Sequence, residues 1–145
     1  MHAYLIDPEN RTVEITDVGD AGNNIDKNFG DLARDYIKPE RGGLDAARIN
    51  DHRDYVWVAD FAFTGPQCIA YRIDGCIHPL AGRSVIIGCG EFGETQSPEV
   101  SVDWLRENIQ WLGLKNCRVD QFESVGPHGE FRVELKVVLE PVANH

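Results

Sequence analysis

Residues 68–93, CIAYRIDGCIHPLAGRSVIIGCGEFG, constrain the fold more than any other stretch, because strand and turn signals are densest there. Asp74-Gly75 stands between the apolar runs CIAYRI and CIHPL. Asp-Gly in that setting predicts a type I′ hairpin turn, whose two central residues both need positive φ. Two strands are therefore expected to meet there. After Pro79 and the Leu80-Ala81-Gly82 turn, Ser84-Val85-Ile86-Ile87 is a short unbroken run closed by glycines, the pattern of a strand buried on both faces.

The chain before this stretch opens with a second hairpin signal. Ala3-Tyr4-Leu5-Ile6 and Thr12-Val13-Glu14-Ile15 read as strands joined by Asp7-Pro8-Glu9-Asn10, with Pro presetting the turn and Asn tolerating left-handed φ. From Asp26 the apolar residues Phe29, Leu32, Ala33, Tyr36 and Ile37 recur at three and four, which predicts a helix ended by Lys38-Pro39 and capped by Asn23, Asn24 or Asp26. The segment LDAARI has no clear assignment, and Tyr55-Val56-Trp57-Val58-Ala59 is a strand.

Downstream, Ser97 or Ser101 starts a second helix that Gly113 stops, with Val102, Leu105, Ile109 and Leu112 along one side and Trp104 and Trp111 widening the apolar arc. Residues 117–122 and 131–142 read as two alternating strands around Gly126-Pro127-His128-Gly129. Hairpins dominate and βαβ alternation is missing. The expected fold is therefore a single α+β domain over residues 1–145, a mainly antiparallel or mixed sheet with two packed helices.

Net charge −10 argues against direct nucleic-acid binding, which needs clustered Lys and Arg to release counterions from the phosphate backbone. Eight acids and three bases fall within residues 1–36, so half of the imbalance lies in a quarter of the chain. No window is apolar enough to span a membrane and no leader pattern opens the chain, so a cytoplasmic protein is expected, in a host cell's cytoplasm if the chain comes from a mobile element. Cys68, Cys76, Cys89 and Cys117 lack CxxC spacing and are expected to be reduced thiols.

Two sets of residues invite a functional reading. Asp20, Asp26, Asp31 and Asp35 concentrate negative charge where a basic groove of a partner protein would meet it, and Trp104 and Trp111 are candidate aromatic anchors. His52, between Asp51 and Asp54, together with Cys76, His78 and the glycines Gly88, Gly90 and Gly93, is a candidate pocket. The GxGxxG match is unlike a dinucleotide fingerprint, because its glycines do not open a helix and Glu91 and Glu94 would repel a phosphate. Cys76 and His78 share a strand face but bring only two ligands, so no metal or cofactor is expected. No GxSxG, HExxH or P-loop lysine is present, and catalysis is not the expected role.

The pieces AYLIDPENRTVEI, GCIHPLAGRSVIIG and SPEVSVDWLRENIQWLG resemble, in that order, small domains of unassigned function carried by bacteriophages and other mobile elements. The resemblance covers about a third of the chain and implies a phage or mobile-element origin and binding to a host protein, such as a defence or nucleic-acid-processing factor. The expected function is an acidic, non-catalytic binding protein. The alternatives are a small-molecule binder or small enzyme built on the His52 and glycine regions, and a structural homodimer.

Overall fold

A computed structural model describes residues 1–18, 25–39, 42–59 and 66–142. In chain order the elements are β1 (His2–Asp7), β2 (Thr12–Asp17), α1 (Ile25–Ile37), β3 (Leu44–Arg48), β4 (Asp54–Ala59) and β5 (Gln67–Ile73), then β6 (Leu80–Ala81), β7 (Ser84–Cys89), β8 (Thr95–Gln96), α2 (Val102–Glu107), β9 (Ile109–Val125) and β10 (Phe131–Pro141). They form two antiparallel sheets. The first has the order β2-β1-β7-β4-β3 with β8 added to β7, and the second has the order β10-β9-β5-β6.

The first hairpin forms as its residues require, with Tyr4 opposite Ile15 and Ile6 opposite Val13. Asp7 Oδ1 accepts from the amides of Glu9 (3.1 Å) and Asn10 (3.3 Å), so the turn is held by a side chain imitating a backbone carbonyl. Its left-handed residue is Arg11, φ 55°, rather than Asn10.

Strand β7 is the centre of the molecule. Ser84, Val85, Ile86 and Ile87 are all buried, as the unbroken run predicts. Val85 and Ile87 pack with Ala3 of β1 and with Phe29, Ala33 and Ile37 of α1. Ile86 joins Tyr4, Ile6, Val13 and Val56 on the opposite side, where they meet Tyr71, Ile73 and Leu80 of the second sheet. The order of layers is therefore helix, sheet, sheet. A buried hydroxyl chain crosses between the sheets: Tyr71 donates to Ser84 Oγ, which donates to Gly82 O at 3.0 Å.

Asp54 provides the other buried polar anchor. Its carboxylate is fully buried and accepts from the amides of Glu99 (2.7 Å) and Val100 (2.9 Å), while Tyr4 Oη donates to Val100 O at 2.7 Å. This fixes the chain just before α2, whose first turn is capped by Ser101 Oγ accepting from the Trp104 amide at 3.0 Å. Arg106 then reaches Val13 O at 2.7 Å and ties α2 to β2.

The expected mainly antiparallel sheet is present, with 54% of the described residues in strands, while the two helices among them are short, 13 and six residues. Two local expectations are corrected. The second helix stops at Asn108, because the Asn108 amide and side chain both turn back on Trp104 O, and Ile109 begins β9 instead. At Asp74-Gly75 only Gly75 has positive φ, 92°, so the turn is not type I′. After it the chain returns to β5 only as the two-residue β6. Of the proposed caps of α1, Asn23 and Asn24 lie outside the described residues and Asp26 falls within the helix.

Asp54→Ala leaves two buried amides without an acceptor and should lower stability by about 3 kcal/mol. Asp54→Asn, which keeps one acceptor, should cost less, and urea unfolding followed by far-UV circular dichroism measures both. Burial raises the phenols of Tyr71 and Tyr4 above their ordinary range and that of Tyr36 to about 12. The unfolded chain releases those protons near pH 10 while the folded chain keeps them, so stability is fully present below about pH 10 and falls above it. A melting-temperature series against pH should show that fall, with a shallower slope for Tyr71→Phe.

Candidate functional site

The proposed pocket residues are brought into one end of the first sheet only in part. His52 sits in the turn between β3 and β4, beside Asp51 with φ 67°. Its ring lies edge-on to Trp104 of α2 at 5.5 Å between centroids. The carboxylate nearest to it comes from Glu99, 47 residues away in sequence, with Glu99 Oε1 at 3.8 Å from His52 Nδ1. Asp54, which sequence places two residues away, points into the core instead. Glu99 Oε2 accepts from the Arg53 amide at 3.2 Å.

At 3.8 Å the His52–Glu99 approach is outside hydrogen-bonding range, and Nδ1 has no hydrogen-bond partner among the described residues. A general base needs its partner at about 2.6–3.2 Å and a nucleophile or substrate proton in reach. The Cys76 thiol does not supply one: burial pushes it up to about 11, and it is directed at Arg48 O at 3.7 Å. His78 is exposed. Among the described residues no three His, Cys, Asp or Glu side chains converge for a metal ion. What the arrangement does show is α2 packed against the His52 turn through Trp104.

The glycine segment is a hairpin loop. Gly88 lies opposite Asp54 in the sheet, and the Cys89 amide donates to Arg53 O at 2.7 Å, so the loop leaves the sheet beside the His52 turn. The Gly90 amide donates to Glu94 O (2.7 Å), the Gly93 amide to Gly90 O (3.0 Å), and the Phe92 amide to Glu94 Oε2 (2.9 Å). The Glu94 carboxylate therefore takes the amide that a phosphate would need. The same three bonds recur in the loop joining β9 and β10. There the Gly126 amide donates to Glu130 O (2.8 Å), the Gly129 amide to Gly126 O (3.0 Å), and the His128 amide to Glu130 Oε2 (2.9 Å). Both loops read G-x-x-G-E, a repeat visible in the sequence, and Gly93 and Gly129 both have positive φ, 83° and 78°.

The proposed docking residues are described only in part. Asp31 and Asp35 are exposed on α1, on the side away from the buried Phe29, Ala33 and Ile37. Asp20 lies outside the described residues, and Asp26 is placed in α1 by its backbone. Trp104 and Trp111 are not free anchors: both are half-buried against the main core, Trp111 within 5.9 Å of the Tyr71 ring.

The surface that sequence reasoning missed is the β9–β10 hairpin. Strand β9 pairs with β5 only as far as Asn116, and from there β9 and β10 continue as a two-stranded ribbon to Val125 and Phe131. Alternation puts Cys117 and Leu139 on one face at the root, followed by Val119 opposite Val137, Glu123 opposite Val133, and Val125 opposite Phe131 at the tip. The root packs on Cys68, Ala70 and Ala81. Beyond it the face is open: Val119 is 39% exposed, Val133 59%, Val125 67% and Phe131 82%. The other face carries charge, with Arg118 bridging Asp120 (3.1 Å) and Glu140, and Arg132 meeting Glu130 at 2.9 Å near the tip. The alternation of β10 was legible; that nothing among the described residues covers its apolar side was not.

No protein-family model, curated protein or solved structure matches the chain. The functional argument therefore rests on the geometry above. No helix among the described residues is long and apolar enough to cross a membrane.

A methyl added at Gly88 would lie 2.6 Å from Ser97 O, a main-chain atom next to Gln96, the β8 residue paired with Gly88, whereas one at Gly90 would meet the flexible end of Glu94. Gly88→Ala should therefore cost about 1–3 kcal/mol and Gly90→Ala clearly less. Thermal unfolding of the two variants side by side checks the order.

Proposed function

We propose that this chain is a non-catalytic protein-binding module that docks through the apolar face of the β9–β10 ribbon. The observation that carries this is the run of Val119, Val133, Val125 and Phe131, open to solvent on a hairpin whose opposite face carries ion pairs. An isolated two-stranded hairpin is marginal in water, and exposed apolar surface of this kind is typical of contact sites. The partner's contribution is an apolar face or groove that buries the strip. Among the described residues β10 is also the outer strand of its sheet, so its outer edge can add a strand of the partner. The sequence resemblance suggests a host protein of a phage or mobile element as that partner. In this reading the exposed carboxylates of Asp31 and Asp35 serve solubility and steering rather than contact.

A photoreactive phenylalanine analogue at position 131 should give a discrete cross-linked adduct in cells expressing the chain, and the same analogue at position 31 should not. Adding Val133→Lys should remove the position-131 adduct with a stability change within about 0.5 kcal/mol, as for other exposed sites. Adducts confined to position 31 would move the contact to α1. An adduct with the mass of two chains would identify a homodimer, which the net charge of −10 disfavours.

A further inference from the structure

Four cysteines too widely spaced for a motif end in two different situations. Cys76 and Cys89 each direct a thiol at a main-chain carbonyl, Arg48 O and Gly90 O, both at 3.7 Å. Cys68 and Cys117 meet each other. In the β5–β9 ladder Gln67 lies opposite Asn116 and Cys68 opposite Lys115, and the Cys117 amide donates to Pro66 O at 3.1 Å. The two cysteines are therefore diagonal neighbours on adjacent strands and share one face. They pack in one cluster with Ala70, Ala81, Leu112 and Leu139, and the Cys117 thiol is among the groups that raise the Cys68 thiol. Cys68 is 8% exposed and Cys117 is more open.

We propose that Cys68 and Cys117 form a reversible disulfide that latches the root of the β9–β10 ribbon to β5. The location gives the bond its effect. Asn116 is the last β9 residue paired with β5, so Cys117 stands at the fork where the ribbon leaves the sheet. A bond there holds β9 to the body at the point where its hydrogen bonding to β5 ends.

The oxidant is a low-molecular-weight disulfide of the glutathione class. The thiolate of Cys117, the more accessible of the pair, attacks one sulfur of that disulfide, breaks its S–S bond and releases one small thiolate. Cys68 then loses its proton to solvent and attacks Cys117 Sγ, forming the protein S–S bond and releasing the second small thiolate. Two protein thiols are oxidised, one small disulfide is reduced to two thiols, and a small dithiol reverses the process. Burial, with the Cys117 thiol beside it, pushes Cys68 up to about 12, so the second step is slow near neutrality and quickens as pH rises.

The test uses the folded full chain, incubated with oxidised glutathione at neutral and at mildly alkaline pH, quenched in acid, alkylated and mapped by mass spectrometry. The expected result is loss of two of the four alkylatable thiols and a peptide joining residues 68 and 117, lighter by two hydrogens and formed faster at the higher pH. Cys117→Ser should abolish the link, whereas Cys76→Ser and Cys89→Ser should retain it. Four alkylatable thiols after treatment, a link through Cys76 or Cys89, a link only between chains, or a stable glutathione adduct on Cys117 would each overturn the proposal.

Discussion

With Ser84, Val85, Ile86 and Ile87 all buried, β7 presents no face to water, and the chain on either side of it is arranged to keep it covered. The helix α1 closes over Val85 and Ile87, and the second sheet closes over Ile86. Burying each such apolar side chain contributes about 1.5–3 kcal/mol, so Val85, Ile86 and Ile87 define where both layers must lie. A polar residue in that run needs a partner of its own, and the Tyr71 hydroxyl provides it from the facing sheet. Because β7 pairs with β1 on one side and β4 on the other, its burial also fixes the first hairpin and the strand that carries Asp54.

Burial is distributed unevenly. The body of the molecule has packed residues on both sides of the first sheet, whereas among the described residues the ribbon beyond Asn116 has its own two strands alone. Exposed ion pairs such as Arg118–Asp120 add little, typically 0–1 kcal/mol each, so the charged face does not explain why the ribbon is ordered. Its stability comes from nine paired positions between β9 and β10, Cys117–Leu139 to Val125–Phe131, and from anchorage at Cys117 and Leu139. An element of this kind sits at the low end of local stability, where binding surfaces are commonly found.

Local chemistry made part of this legible. The spacing of Phe29, Ala33 and Ile37 identified the face that α1 buries, and the β-branched run identified the central strand. The misplaced helix end has a specific cause: Val102, Leu105, Ile109 and Leu112 fall at helical spacing, but Asn108 can satisfy Trp104 O and end the helix, and the register shift beside Leu112 lets Ile109 and Trp111 share a strand face with Ile73 and Tyr71. The candidate site was less legible because its determinants are long-range. That Glu99 approaches His52, that Asp54 is spent on the backbone of Glu99 and Val100, and that Cys68 packs near Cys117 all depend on contacts between residues 45 to 50 positions apart, which no local pattern encodes.

The two G-x-x-G-E loops show how the ribbon can exist without a core at its tip. In each, the first glycine leaves room for the glutamate carboxylate to fold back, the fourth adopts positive φ, and the carboxylate occupies an amide that would otherwise face water. The loop is thus closed by its own backbone and one side chain, with no need for packing from outside. At the end of β7 it closes a short hairpin beside the body; between β9 and β10 it closes one long enough to leave the body. The same G-x-x-G-E pattern therefore frees the second hairpin's length from the demands of the core, and Val119, Val125, Phe131 and Val133 beyond its root stay open to solvent among the described residues. An apolar strip that the described part of the fold leaves uncovered, carried on an element whose end is self-sufficient, is what supports the docking role proposed for the ribbon.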